Sequence, residues 1–146
     1  VAFLYPGGIM DGIEITGRVP LLWEPLALEG WYTRWAGNSP WIYLPDQSFK
    51  AALVYRHSPL ESGNLDLIGR LEGSYRGQMR IPTTDGTLAT IPGISSLDLE
   101  FQVRVIDVRA FVRWNNILHR LNNYDVPGRT FPGQHVFYGV KWQFWN

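Results

Sequence analysis

The feature that most constrains the fold is a strict alternation of apolar and polar residues from Leu97 to Val105. The stretch reads Leu-Asp-Leu-Glu-Phe-Gln-Val-Arg-Val, so every second side chain is apolar. A period of two residues over such a length predicts a β-strand and fits no helix. The same alternation resumes at Val108 after only Ile106 and Asp107, so the two stretches are predicted to pair as a tight hairpin.

Alternation of this kind recurs along most of the chain and predicts an all-β protein of about eight strands without a helix. The predicted strands besides the hairpin are 13–19, 26–35, 49–56, 65–79 and 136–144, and 1–5 resembles an incomplete strand. The apolar positions carry almost no ionisable groups, whereas Arg, Glu, Asp and Lys occupy the opposite positions. Alternation alone does not decide whether the apolar side chains face a protein core or lipid.

The links between the predicted strands alternate in length. Short links are expected at 22–25, 59–64 and 106–107, and longer ones at 6–10, 36–46, 81–95 and 117–133. In an antiparallel meander this order places every short link at one end and every long link at the other. Such sorting is typical of a transmembrane antiparallel β-barrel of the outer membrane, which has short periplasmic turns and long extracellular loops.

The composition excludes several classes of protein. Thirteen basic residues balance thirteen acidic ones, so the positive charge typical of a nucleic-acid binder is missing and no nucleic-acid partner is expected. The absence of cysteine rules out a disulfide framework and thiolate metal sites. No apolar run is long enough for a membrane-spanning helix, but a spanning strand needs only about 9–11 residues. The chain begins with Val1 and no basic segment, so it does not look like a signal peptide.

The aromatic residues make up 14% of the chain, and the proposed arrangement gathers many of them at its two ends. Trp and Tyr favour the membrane–water interface, so two belts are expected, although an ordinary core is the alternative. The belt near the short links would contain Trp23, Tyr55, Trp142, Phe144 and Trp145, and the belt near the long links would contain Trp31, Tyr32, Trp35, Tyr75, Trp114 and Tyr138.

The stretch from Phe101 to Asn146 resembles the last strands of a TonB-dependent outer-membrane receptor. Its hairpin, 105–118, ends in an Asn-rich segment and is followed by a loop with Tyr124-Asp125-Val126-Pro127-Gly128 and Pro132-Gly133-Gln134. In this family the closing strand ends in an aromatic assembly signal. The matching positions here are Tyr138, Val140, Trp142 and Phe144, with the departure that Trp145-Asn146 follow.

This resemblance implies a barrel of about 22 strands closed around a plug domain. Residues 1–146 would form one segment of its C-terminal part, about a third of the barrel, with the plug outside this chain. The family takes up siderophores, cobalamin or similar scarce nutrients with energy supplied through TonB. The implied partners are therefore outer-membrane lipid, the remaining barrel strands, the plug and the TonB system, in the bacterial outer membrane.

Two sets of candidate site residues follow. Ligand contacts are expected from the outer loops, and polar contacts and cross-strand ion pairs are expected on the lumen wall. The loop candidates are Trp41, Tyr43, Tyr124 and Arg129. The lumen candidates are Glu72, Arg76, Glu100, Arg104, Arg109 and Arg113, with Asp66, Asp98 and Arg70 as further members of the ion pairs.

We expect neither an enzyme nor a cofactor. The isolated histidines His57, His119 and His135 lack the spacing of a metal site. His57 and Ser58 are neighbours on a strand and would point to opposite faces, which does not suit a nucleophile and its base. Two alternatives remain open: a self-contained eight-stranded outer-membrane barrel with a structural or adhesive role, and a soluble lipocalin-like binding module.

Overall fold

The computed structural model describes residues 10–36, 42–120 and 133–142, and within these ranges the chain forms strands, turns and loops but no helix. Consequently no helix in the described ranges is long and apolar enough to cross a membrane. The nine strands are β1 (Gly12–Pro20), β2 (Leu26–Trp35), β3 (Gln47–His57), β4 (Leu65–Arg76), β5 (Met79–Pro82), β6 (Leu88–Ile91), β7 (Ile94–Val105), β8 (Val108–Asn115) and β9 (His135–Trp142).

Seven strands form one antiparallel sheet in the order β1-β2-β3-β4-β7-β8-β9. The all-β antiparallel prediction is therefore confirmed, and seven of the eight predicted strands are present. The eighth, at 1–5, lies outside the described residues. Within the described residues, β1 pairs only with β2 and β9 only with β8, so the sheet is open at both edges.

The remaining two strands, β5 and β6, form a separate hairpin inserted between β4 and β7. The prediction that one strand runs to Met79 and that 81–95 is a plain link is wrong. β4 ends at Arg76, and the N–H of Gly77 donates to the carbonyl of Gln47 at 2.7 Å. The alternation continues through Gly77 to Met79, so the sequence pattern does not reveal the break.

The inserted hairpin has its own small core. Met79 and Ile81 on β5 pack against Ile91 on β6, with Ala89 beside them. The turn contains Asp85-Gly86, and Gly86 has a positive φ of 84°. Asp-Gly between apolar segments is a strong hairpin signal, and here it marks a turn that the alternation of apolar and polar residues does not reveal.

The connections are sorted by length as predicted. The links at 21–25, 58–64 and 106–107 lie at one end of the main sheet, and those at 36–46, 77–93 and 116–134 lie at the other. The shortest, Ile106-Asp107, joins β7 to β8 as a two-residue turn. Ile106 has a positive φ of 53°, and its N–H donates to the carbonyl of Asn64 at 2.7 Å.

The two faces of the main sheet differ in chemistry and in exposure. We call the side that carries Leu28, Leu53, Leu71 and Leu99 the apolar face, because these residues lie side by side in register across β2, β3, β4 and β7. The alternate positions form the polar face. Large side chains of the apolar face are exposed, among them Ile13 at 63% and Val140 at 70%.

The buried residues of the main sheet lie instead on the polar face. Ala52 is 2% exposed and Val54 is 3% exposed, and both lie on the same side of β3 as the charged residues of the neighbouring strands. In a water-soluble sheet the opposite distribution is normal, because apolar side chains are removed from water. Here the charged side of the sheet is the more enclosed one.

Candidate functional site: the polar face of the sheet

The polar face is built by register. Antiparallel pairing places the polar position of each strand beside the polar position of the next, so charged residues separated by tens of positions in the sequence become neighbours. Three groups of ion pairs result from this pairing, and between them they involve all of the main strands from β1 to β8 except β3.

The central group is organised by Arg70 of β4. Its Nη1 donates to Glu29 Oε2 at 2.6 Å, and its Nη2 donates to Glu72 Oε2 at 2.8 Å. Glu29 also faces Arg18, its partner in register on β1, at 3.7 Å. Since Glu29 lies on β2, the Arg70 side chain crosses above β3, where Ala52 leaves room for it.

The second group lies near the short connections. Arg104 of β7 and Asp66 of β4 are partners in register, and the Arg104 Nε donates to Asp66 Oδ2 at 2.7 Å. Arg104 Nη2 donates to the carbonyl of Gly63 at 3.0 Å, and Ser58 Oγ donates to Asp66 Oδ1 at 2.6 Å. This group therefore ties the link between β3 and β4 to the wall of the sheet.

The third group joins β7 to β8. Arg113 Nη2 lies 3.3 Å from Asp98 Oδ2, and its Nη1 lies 3.6 Å from Glu100 Oε2. Asp98 Oδ1 also accepts the N–H of Asn116 at 2.9 Å, and the Arg113 Nε donates to Asn115 Oδ1 at 2.7 Å. The carboxylates are thus bound from both the neighbouring strand and the segment that follows it.

Four of the six predicted lumen residues take part in these groups. They are Glu72, Glu100, Arg104 and Arg113. Arg76 lies instead at the long-connection end, where its Nη1 contacts Met79 Sδ at 3.4 Å. Arg109 is in register with Arg104 on one side and Lys141 on the other, and it makes no ion pair with the carboxylates of the described ranges.

Glu29 was missed because β2 has a noisy alternation. Its sequence, Leu-Ala-Leu-Glu-Gly-Trp-Tyr-Thr-Arg-Trp, places Ala27 and Trp31 on the same side as Glu29, and neither neighbour suggests a charged face. Arg18 could have identified Glu29. It alternates with apolar residues on β1, so it lies on the polar side of that strand, and pairing of β1 with β2 places Glu29 opposite it.

The outer-loop candidates are only partly described. Tyr43 lies in the connection between β2 and β3, is 62% exposed and has a positive φ of 62°. Its N–H donates to the carbonyl of Arg80 at 2.9 Å, which fixes this loop beside β5. Trp41, Tyr124 and Arg129 lie outside the described residues.

The described part of the proposed assembly signal lies on β9, the last strand of the sheet. Tyr138, Val140 and Trp142 all occupy the apolar face of β9, opposite Val112, Ala110 and Val108 of β8. All three are well exposed. Phe144 lies outside the described residues, as does Trp145.

The aromatic belts need one correction. Tyr32, Phe49 and Tyr75 lie side by side on the apolar face near the long connections, and the rings of Phe49 and Tyr75 stack at 5.5 Å. Trp31 lies on the polar face, in register with Lys50, and Trp35 shares its side of β2, so neither lies on the face that carries Tyr32, Phe49 and Tyr75. The prediction placed both residues at the correct end of β2, but the irregular alternation of this strand does not indicate which face they occupy.

At the opposite end, the Trp23 and Tyr55 rings lie 5.6 Å apart beside the short link between β1 and β2. Trp142 lies at the same end, because it is in register with Val108, the first residue of β8.

The histidine and serine at the end of β3 do not act on each other. The His57 ring lies 6.2 Å from the Tyr55 ring, while Ser58 Oγ donates to Asp66. Across the described residues, no group of three or more His, Cys, Asp or Glu side chains is arranged to hold a metal ion. The polar face therefore presents charged groups held by ion pairs, together with hydroxyl groups.

Comparison of the chain with protein families, with curated proteins and with solved structures yields no match.

Proposed function

We propose that this chain forms part of the wall of an outer-membrane β-barrel, with its apolar face toward lipid and its polar face toward a wet lumen. The observation that carries the proposal is the inverted distribution of exposure: large apolar side chains such as Ile13 and Val140 are exposed, while Ala52 and Val54 are buried among charged groups. A soluble module of the lipocalin or sandwich type would need its apolar face turned inward. A bilayer supplies the apolar surroundings that the exposed face lacks.

The sorting of connections supports the orientation. Short links lie at one end of the sheet and long ones, including the β5–β6 hairpin, at the other. By analogy with outer-membrane barrels, we place the long connections outside the cell. The strands of the main sheet have 8 to 12 residues, which suits tilted strands that each need about 9–11 residues to span.

The open edges favour a segment of a larger barrel. Unpaired backbone groups are not tolerated in lipid, so the edges of β1 and β9, which have no partner within the described residues, must pair with further strands, either of a larger barrel or of a second copy. Together with the sequence resemblance, this leads us to propose a TonB-dependent receptor that takes up a scarce nutrient such as a siderophore or cobalamin. The remaining strands and a plug domain would complete it, and the TonB system would drive it.

A refolding experiment tests the membrane location. We expect the chain to aggregate on dilution from urea into plain buffer and to gain strand-type circular dichroism when detergent is present. A folded, monomeric chain in plain buffer would contradict the proposal, because the exposed apolar face would then be compatible with water.

A pair of labelled variants tests which face meets lipid. The chain has no cysteine, so Val103→Cys on the apolar face and Gln102→Cys on the polar face can each carry one fluorophore. In vesicles containing nitroxide-labelled lipid, we expect strong quenching at position 103 and weak quenching at position 102. Equal quenching at both positions, or stronger quenching at 102, would refute the assignment of the faces.

A further inference from the structure

A cavity of about 340 Å³ opens on the polar face near the long connections. Its lining includes six side chains with hydrogen-bond donors: Trp31, Ser48, Lys50, Ser74, Arg76 and Ser96. We call it the Lys50 cavity. Its volume falls within the range of about 300–1,000 Å³ typical of small-molecule sites.

Register brings these donors together. Trp31 of β2 pairs with Lys50 of β3, Lys50 with Ser74 of β4, and Ser74 with Ser96 of β7. Side chains that are directly opposite on paired strands have Cβ atoms about 4.5–5.5 Å apart. The hydroxyl groups of Ser74 and Ser96 are in contact, with 2.8 Å between their oxygens. The ammonium, the hydroxyls and the indole therefore line one continuous strip of the wall.

Among the described residues, the charged groups that line the Lys50 cavity are both cationic. They are Lys50 and Arg76, and no described carboxylate lines it. Glu29 and Glu72 lie in the adjoining pocket, which Lys50 also lines, and both accept from Arg70, while Glu14 accepts the Trp31 Nε1–H at 3.2 Å. Among the described residues, no carboxylate lies within ion-pair distance of Lys50.

Lys50 differs in this respect from the arginines of the three ion-pair groups. Arg70, Arg104 and Arg113 each contact a carboxylate on their own or a neighbouring strand. A lysine ammonium with no described carboxylate within ion-pair distance, together with serine hydroxyls in a partly enclosed site, is the kind of group set that binds phosphate and carboxylate oxygens in proteins.

The geometry points to the Lys50 cavity as a binding site for an oxyanion, that is, for a small solute carrying a phosphate or carboxylate group. Lys50 supplies the charge, Ser74 and Ser96 supply hydroxyl donors, and the Trp31 ring supplies an apolar wall for the rest of the solute. The inference rests on the proposed function to the extent that the polar face must line a wet lumen.

The lysine content of the chain permits a direct test. Lys50 and Lys141 are the only two lysines, and both lie on the polar face, one in the cavity and one at the short-connection end. Reductive dimethylation with ¹³C-formaldehyde and cyanoborohydride keeps their charge. It gives two lysine signals beside that of the N-terminal amine, and the Lys→Gln variants assign them. We titrate inorganic phosphate into the chain refolded in octyl glucoside, which has no phosphate headgroup, at constant ionic strength set with chloride.

We expect the Lys50 signal to shift saturably and the Lys141 signal to stay in place. By calorimetry, Lys50→Gln should weaken phosphate binding at least about tenfold, because a charge-assisted hydrogen bond is lost. Lys141→Gln, the matched control, should bind as the unaltered chain does. Parallel shifts of both lysines, or equal affinity of the two variants, would overturn the inference.

The failures of the two proposals are distinguishable. A chain that stays unfolded in octyl glucoside, by circular dichroism, contradicts the membrane proposal and the cavity's role with it. A chain that folds in the detergent but shows no saturable shift of Lys50 contradicts the oxyanion site alone.

Discussion

Arg70 and Glu29 form an ion pair across an intervening strand. Arg70 lies on β4 and Glu29 on β2, yet the Nη1–Oε2 distance is 2.6 Å. The contact is possible because Ala52 of β3, between them, is too small to block the guanidinium, and the bridge in turn covers Ala52. One side chain thereby joins β4 to β2 across β3, in addition to the backbone ladder.

Removal of this guanidinium should destabilise the sheet. Arg70→Gln leaves Glu29 and Glu72 without their shared partner, and we expect a loss of about 1–2 kcal/mol in the free energy of unfolding, since the groups are partly exposed. Urea unfolding in detergent measures it. Arg109→Gln is the control, since that arginine has no ion pair within the described part of the chain, and its effect should stay within about 0.5 kcal/mol. Equal losses in the two variants would show that the bridge adds nothing.

Replacing Ala51 or Ala52, which are neighbours on β3, with a larger residue should change the free energy of unfolding in different ways. Leucine in place of Ala52 would fill the space under the Arg70–Glu29 bridge, and we expect a cost of about 1–3 kcal/mol in the free energy of unfolding. Leucine in place of Ala51 points from the exposed apolar face and should be neutral or stabilising in detergent. Chemical unfolding of the two variants makes the comparison, and a larger cost at position 51 would contradict the assignment of the faces.

A charged residue placed on the apolar face should lower the free energy of unfolding, and the loss should be larger the closer the residue lies to the middle of the bilayer. Leu53 lies in the central leucine row, so Leu53→Arg should lower the free energy of unfolding in lipid vesicles by about 2–4 kcal/mol. Val105→Arg, at the last position of β7, should cost only about 0–1 kcal/mol. If lipid does not cover this face, the two variants should unfold at the same urea concentration.

The turn between β7 and β8 holds a β-branched residue in a disfavoured conformation. Ile106 has a positive φ of 53°, which costs L-residues about 1–2 kcal/mol, and glycine adopts it freely. After the entropy cost of glycine, Ile106→Gly should stabilise the chain by about 0.5–1 kcal/mol. Asp107 is not in the left-handed region, so Asp107→Gly should be destabilising. Unfolding curves that rank the two variants in the reverse order would contradict this account.

The tip of the β5–β6 hairpin should depend on pH. The Thr83 hydroxyl, the Thr87 hydroxyl at 2.9 Å and the Thr87 N–H at 3.2 Å donate to Asp85 Oδ1 and lower the pKa of its carboxyl to about 2 from an ordinary 3.8. Because the folded-state pKa is the lower one, the carboxylate stabilises the turn fully above about pH 4, and this stabilisation is lost as the pH falls toward 2.

Hydrogen exchange at the Thr87 amide measures this dependence. Protection should decrease between pH 4 and pH 2 in the unaltered chain after correction for the intrinsic exchange rate. Asp85→Asn cannot ionise and should give a flat corrected profile. A flat profile in the unaltered chain would show that the carboxylate does not hold the turn.

The alternation of apolar and polar residues predicted much of this architecture, because it shows directly which face of the sheet each side chain occupies. The Leu97–Val105 pattern gave the β7 strand and its apolar face, and the two-residue gap at Ile106 gave the turn. The β5–β6 hairpin was not predicted, because the alternation with a period of two continues through Gly77 although the backbone leaves the main sheet there. The Arg70–Glu29 ion pair was not predicted either. Alternation places both residues on one face, but it does not show which carboxylate the Arg70 guanidinium reaches across Ala52.

The order of the strands in the main sheet has a consequence for how the sheet folds. Each strand pairs with the next one along the chain, apart from β4 with β7, and the segment between those two closes on itself as a hairpin. Pairing between sequence neighbours closes only short loops, so the entropy lost at each addition is small. The sheet can therefore be extended one strand at a time from a single starting hairpin. The same locality lets such a sheet gain or lose hairpins during evolution while the register of the remaining strands is kept.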